Sequence, residues 1–263
     1  MSLVRIEPGR IWRLTLDDPA THNSLSTAMM DELRVGLEDA ASDPEARVVV
    51  IAGEGKHFCA GANFDELQAS VGGLHGEDFG STLEAGLRTI EENPLPVLAV
   101  VQGAALGIGC ALVVTCDLAV AATDATLGVP PAKLGLVLNY ENVQRLVLAV
   151  GPKRSTEMLL LGRNLSGVEA ADWGIVNEAV APDQLAARGE ELAEALASAA
   201  PLSLRASKRG VRAALQKLSV ERETEGFRIA DYDMMASAAF SSEDLKEGIR
   251  ALREGRDPEF RGK

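Results

Sequence analysis

Three short, almost uninterrupted apolar runs constrain this chain most: Arg47 to Ala52, Val97 to Val101 and Leu118 to Ala122. A strand with one wet face alternates apolar and polar side chains, whereas a strand covered on both faces reads as a continuous apolar run. Segments of helical periodicity lie between these runs, so the pattern predicts an α/β fold built from βα units. Ile175 to Val180 is a fourth candidate strand. Two strands open the chain; the second, Ile11 to Leu16, alternates and stops at Asp17-Asp18-Pro19. Ser26 or Thr27 can cap a helix reaching about Ala41, with Met29, Leu33, Leu37 and Ala40 at helical spacing.

The stretch Leu67 to Gly80 carries four glycines and His75, and reads as a mobile loop. From Pro182 onward the pattern is helical, over 182–199, 201–217, 221–237 and 242–254. Pro201 suits a helix start and Ser242 a cap. The chain thus divides into an α/β core, 1–195, and a helical tail, 196–263.

Aromatic residues are only 4% of the 263, so the core must be built from Ala, Val, Leu and Ile. A net charge of −13 argues against nucleic acid and an anionic membrane surface as partners, since both select clustered Lys and Arg. Any anionic ligand must be bound locally, by basic groups or helix N-termini. No apolar run approaches the ~20 residues of a membrane span. The first residues lack a signal-peptide layout, so a cytoplasmic protein is expected. Cys59, Cys110 and Cys116 have no metal-like spacing and read as reduced thiols; no metal site is expected.

Two segments carry candidate chemistry. Phe58-Cys59-Ala60-Gly61-Ala62-Asn63-Phe64-Asp65-Glu66 follows a strand and a turn. Asn63 can cap the next helix, and Glu66 three residues on completes a capping-box pattern. Gly103-Ala104-Ala105-Leu106-Gly107-Ile108-Gly109 also follows a buried strand and opens a helical segment. Gly107 and Gly109 leave the backbone around Ile108 bare. The order G-x-x-x-G-x-G does not fit a dinucleotide loop, and no Gly-Lys-Ser/Thr marks a phosphate loop. What remains is tight helix packing, or backbone N–H groups ready for an anion or an oxyanion. Two such junctions could converge on one carbonyl oxygen.

These segments resemble the crotonase superfamily, the enoyl-CoA hydratases and isomerases. The resemblance extends to Leu16-Asp17-Asp18-Pro19 through Ser26, Gln102 to Asp117, Pro130 to Gly135, Gln144-Arg145-Leu146, and Glu243 to Gly248. Phe58 to Asn63 matches that family's F-C-A-G-A-D signature, with Asn63 for Asp. The resemblance implies a spiral of ββα units with a C-terminal helical region that assembles into homotrimers, often paired into hexamers. It implies an acyl-CoA substrate and no cofactor beyond the coenzyme A of that substrate. The N–H groups of Ala62 and Ile108 would form an oxyanion hole for the thioester. The backbone at Ala60 and Gly61 would meet the adenine, and His22 would lie near the coenzyme A phosphates.

The departures limit the chemistry. The two hydratase glutamates would fall at Ala111 and Pro131, which move no proton, and a third acidic position used by some relatives is Asn139. General acid–base help is worth ~10²–10⁴-fold, so ordinary hydration should be crippled. The segment Leu138-Asn139-Tyr140-Glu141-Asn142 replaces a glycine-rich turn. Glu141, raised toward neutrality by partial burial, is a candidate base, with Tyr140 a hydrogen-bond donor in reserve. His75 is a further candidate, and His57 has no assigned role. An isomerase, decarboxylase or related lyase is expected more than a standard hydratase. The alternatives are a hydratase with a shifted acid/base and a non-catalytic acyl-CoA-binding protein.

Overall fold

The computed structural model describes residues 2–70, 76–220 and 229–261. The apolar runs become the centre of a six-stranded sheet. Its strands are β1 (Val4–Glu7), β2 (Ile11–Leu16), β3 (Val48–Gly53), β4 (Val97–Val101), β6 (Leu118–Ala122) and β9 (Glu178–Val180), adjacent in that order. β1 and β2 are antiparallel and every later pair is parallel. Val48, Val49, Ile51, Val97, Leu98, Ala99 and Val101 are all buried, as strands covered on both faces require.

Helices cover the sheet. α1 (Thr27–Ser42) starts where the Ser26 hydroxyl accepts from Met29 N at 3.1 Å, and buries Met29, Met30, Leu33, Leu37 and Ala40. α2 (Phe64–Ser70) follows β3, and α3 (Gly76–Glu92) leads into β4. α3 corrects the loop expected over 67–80, since Leu67 to Ser70 and Gly76 to Gly80 are helical. Phe79, Leu83, Leu87 and Ile90 are buried at helical spacing. At roughly 1.5–3 kcal/mol each, they outweigh about 1 kcal/mol for each glycine in the first turns. His75 lies outside the described residues.

A second sheet was not expected: β5 (Ala104–Leu106), β7 (Thr126–Gly128) and β8 (Asn164–Ser166). α4 (Ile108–Thr115) follows β5, and α5 (Tyr140–Val150), α6 (Pro152–Leu161) and α7 (Gly167–Trp173) complete the core. The candidate strand from Ile175 is shorter than expected; Ile175 and Val176 are buried, but pairing as β9 begins at Glu178.

The tail holds α8 (Leu185–Ser198), α9 (Pro201–Val220), α10 (Ile229–Phe240) and α11 (Glu243–Glu254). Residues 221–228 of the helix expected over 221–237 lie outside the described residues. α8 runs past residue 195, with Ala193 and Ala197 buried in a cluster with Val48, Val50 and Leu98. α11, capped by Ser242, returns to the main core through Leu245 and Ile249.

Candidate active site

The two glycine-bearing junctions are neighbours. Cys59 N donates to Ala104 O at 2.9 Å and Leu106 N to Cys59 O at 3.0 Å, pairing Cys59 with Ala105 in parallel. Ala62 lies three residues beyond Cys59 and Ile108 three beyond Ala105, so the two segments arrive in step. A Cβ on Gly61 would stand 3.1 Å from Leu106 O, and one on Gly107 would stand 4.0 Å from Gly61 Cα. Neither the Ala62 nor the Ile108 N–H meets an acceptor among the described residues. Ile108 opens α4, where the first N–H groups have no intrahelical partner. Ala62 N is left over because Leu25 takes both its neighbours: Leu25 N donates to Gly61 O at 2.7 Å and Asn63 N to Leu25 O at 2.8 Å.

The two glycines of the second junction do different work. Gly107 sits at φ 55, ψ −122, a conformation closed to L side chains. Gly109 is buried, and a Cβ there would lie 2.5 Å from Cys59 O. Gly109 therefore lets α4 pack on the first junction and lies behind the bare backbone instead of lining it.

The capping box expected at Asn63 is half formed. Asn63 Oδ1 accepts from Asp65 N at 3.1 Å and Glu66 N at 3.2 Å. Glu66 does not bond back; its carboxylate accepts from Thr27 N and Thr27 Oγ1 at 2.8 and 2.7 Å, tying α2 to α1. On the other side, Ala60 N donates to His22 O at 3.0 Å, which brings His22, Ala60 and Gly61 together. The exposed His22 meets His57 edge to face, with ring centroids 4.8 Å apart.

Sequence reasoning missed His57. Its Nδ1 accepts from Ala104 N at 3.1 Å, so one ring nitrogen holds the strand beside the first junction. Burial, then His22 and Lys56, push its pKa down, which keeps Nδ1 an acceptor. Nothing in the periodicity around Phe58 marks that bond. Burial pushes the Cys59 and Cys110 thiols up to about 12, so neither is a nucleophile at neutral pH.

Ala111, one turn into α4, and Pro131, opening a 3-10 turn Pro131–Leu134, are both buried. Asn139 caps α5, its Oδ1 accepting from Asn142 N at 3.2 Å, while its Nδ2 donates to Glu84 Oε2 at 3.0 Å. Tyr140 is half-buried. Glu141 is exposed in the first turn of α5, which corrects the expected partial burial: it sits on the outer face of that helix, while Asn142 faces in. Glu84, unmarked in the sequence, is the nearly buried carboxylate here, paired with Arg145 at 2.6 Å. Among the described residues no three His, Cys, Asp or Glu could hold a metal ion.

A helix-flanked parallel sheet, with two unpaired backbone N–H groups on adjoining junctions, defines the chain as a crotonase-fold protein. It belongs to the enoyl-CoA hydratase/isomerase family, whose model matches residues 7–263. A carnitinyl-CoA dehydratase of Salmonella enteritidis PT4 is 36% identical over 259 residues, 97% of this chain and 96% of the relative. An enoyl-CoA hydratase structure from Mycobacterium avium subsp. paratuberculosis K-10 superposes with a TM-score of 0.85 at 26% identity, over 99% of both chains. An enoyl-CoA hydratase/isomerase structure from Xanthobacter autotrophicus Py2 gives 0.86 at 25%, over 96% of this chain and 93% of that one. The chain is thus an enzyme-family member built for acyl-CoA chemistry.

Proposed function

We propose that this protein is a coenzyme A thioester lyase or isomerase that works through an enolate, and that it is not a water-adding hydratase. The observation that carries this is the pair of acceptor-free N–H groups at Ala62 and Ile108, with no proton-transfer group at the buried positions Ala111 and Pro131. Donors already aimed at a developing oxyanion stabilise it without reorganisation. In the lyase case the bond between the α-carbon and a leaving fragment breaks. Its electron pair enters the thioester as an enolate, and a proton from water then restores the α-carbon. In the isomerase case a proton leaves the α-carbon and returns further along the chain. Neither route needs a carboxylate at position 111 or 131 to activate water. The reading needs no cofactor beyond the substrate's own coenzyme A. The name of the carnitinyl-CoA relative supports an acyl thioester as ligand.

The test follows bound acyl-CoA in deuterated water together with crotonyl-CoA hydration. Deuterium should enter the α-carbon, and hydration should be weak or absent. Hydration at an ordinary turnover of ~1–10³ s⁻¹ would refute the reading. Binding without α-exchange or any turnover would favour a non-catalytic acyl-CoA-binding protein.

A further inference from the structure

One rung between the two glycine-bearing junctions is made by a side chain. Phe58 N donates to Gln102 O at 2.8 Å, Cys59 N to Ala104 O at 2.9 Å and Leu106 N to Cys59 O at 3.0 Å. A regular parallel ladder would send the Ala104 N–H to the carbonyl of His57. That carbonyl is already engaged, because the buried Asn23 donates to it through Nδ2 at 2.7 Å. The Ala104 N–H turns to the ring of the same residue and donates to His57 Nδ1 at 3.1 Å. Gly103 makes room for that ring: it sits at φ 55, and a Cβ there would stand 2.7 Å from His57 Nδ1 and closer still to Lys56 O. An imidazole is thus seated where the segments that carry Ala62 and Ile108 first meet.

An imidazole accepts at Nδ1 only while neutral, with its proton on Nε2. Once protonated, Nδ1 is a donor facing the Ala104 N–H, and the rung becomes a repulsion. The surroundings favour the neutral ring. Burial, then His22 with its ring edge to face at 4.8 Å between centroids, then Lys56 on the same turn, push the His57 pKa down. Glu54, the carboxylate of that turn, is drawn to Arg5 at 2.7 Å. Without the rung, Ala104 is released at the head of the segment that sets Ile108. The first junction stays tied through Asn23 to His57 O and through Leu25 to Gly61 O. The two donors would then lose their common aim, and a displacement of about 1 Å can cost ~10²-fold in rate.

We propose that His57 is a positioning residue for the oxyanion hole: its neutral ring fixes the register of the Ala62 and Ile108 junctions, and its protonation switches the site off in mild acid. This rests on the enolate reading and adds a pH limit to it. Exchange of the α-proton at saturating butyryl-CoA, followed from pH 5 to 8, takes coenzyme A binding out of the profile. The wild-type rate should fall in acid, with a midpoint below the ordinary histidine value of about 6.5. His57→Leu has no acceptor and should be about 10- to 100-fold slower at pH 8, with KM changed by less than about threefold and no acid limb. His57→Asn puts an oxygen that does not titrate where Nδ1 stands; it should recover most of the rate lost in His57→Leu and also lack the acid limb. An acid limb that persists in His57→Asn, or a wild-type rate in His57→Leu, would overturn the proposal. Thermal melts of the wild type and His57→Asn from pH 7 to 5 supply a readout that needs no turnover. A histidine whose folded pKa is lowered loses its stabilising contribution as pH falls below the unfolded value, so the wild-type midpoint should drop relative to His57→Asn over that range. If no thioester exchanges in the wild type, the enolate reading fails by itself and the melts alone decide. A gap that changes with pH in this sense upholds His57 as the acid-sensitive joint of the two junctions, and a constant gap overturns it.

Discussion

Gly107 is the residue where conformation and chemistry are hardest to separate. Space does not forbid a side chain there, since a Cβ would make only ordinary contact at 4.0 Å with Gly61 Cα. The backbone does: φ 55, ψ −122 strains any L residue by about 1–3 kcal/mol. Relaxing that strain would turn the Ile108 N–H away from its companion at Ala62. Gly107→Ala is therefore expected to slow α-proton exchange about 10²–10³-fold, the cost of losing one oxyanion donor, with a much smaller change in acyl-CoA affinity. Exchange at the wild-type rate would remove Ile108 from the site. This junction was legible because glycines and small residues after an apolar run announce bare backbone. Glu84 was not legible, since a glutamate on a helix gives no sign of which arginine it will meet. Glu141 misled for the converse reason: proximity in sequence to Asn139 does not fix which side of α5 a carboxylate occupies.

At the scale of elements, α11 holds the Pro131 side of the site to the core, and Glu247 holds α11. Its carboxylate, nearly buried, accepts from Arg256 at 2.6 Å, from Glu259 N at 3.1 Å and from Arg250. The Arg256 bond first, then the Glu259 N–H and Arg250, hold its pKa well below the usual carboxylate range. A folded pKa below the unfolded one favours the folded state above the unfolded value, about 4.3 for Glu, and that contribution fades as pH falls below it. Glu247→Gln should therefore lower the thermal midpoint near pH 7, with the gap to wild type closing as pH drops below about 4. A gap that stays constant down to pH 3 would show that the charge is not what matters. α11 was readable from its cap and its first buried residue, Leu245. β5, β7 and β8 were not, because three-residue strands are too short to show a period. The start of α3 was hidden by its glycines, which tertiary burial of Phe79 and Leu83 overrides.

For the whole molecule, the division near residue 195 separated composition better than it separated structure, because α8 and α11 both pack on the core. α9 is the element that stands apart. Of its residues from Pro201 to Leu215, only Leu204, Lys208 and Arg212 are half-buried, a single stripe at i, i+4, i+8. Lys208 inserts deepest, donating to Leu95 O at 2.9 Å and Ile90 O at 3.3 Å and pairing with Asp117 at 2.7 Å. Large apolar side chains stand exposed among the polar ones: Leu202, Val211 and Leu215 on α9, Met234 and Met235 on α10, and Leu160 and Leu161 on α6. Phe240, at the end of α10, packs on the core. Single exposed apolar residues are ordinary, but a long helix held to the core through Lys208 that leaves Leu202, Val211 and Leu215 exposed is what a subunit interface leaves when one copy is viewed alone. A stable contact covers roughly 800 Å² per partner, an area that a helix of this length can supply. Light scattering on a size-exclusion column should therefore give a multiple of the 27.8 kDa of one chain at micromolar concentration, and the family resemblance implies that the multiple is three or six. Val211→Glu with Leu215→Glu should shift the population toward 27.8 kDa, because neither side chain supports the folded chain from inside. A wild-type mass of one chain would mean that these faces meet water, and that the tail serves only to carry α11 back to the site.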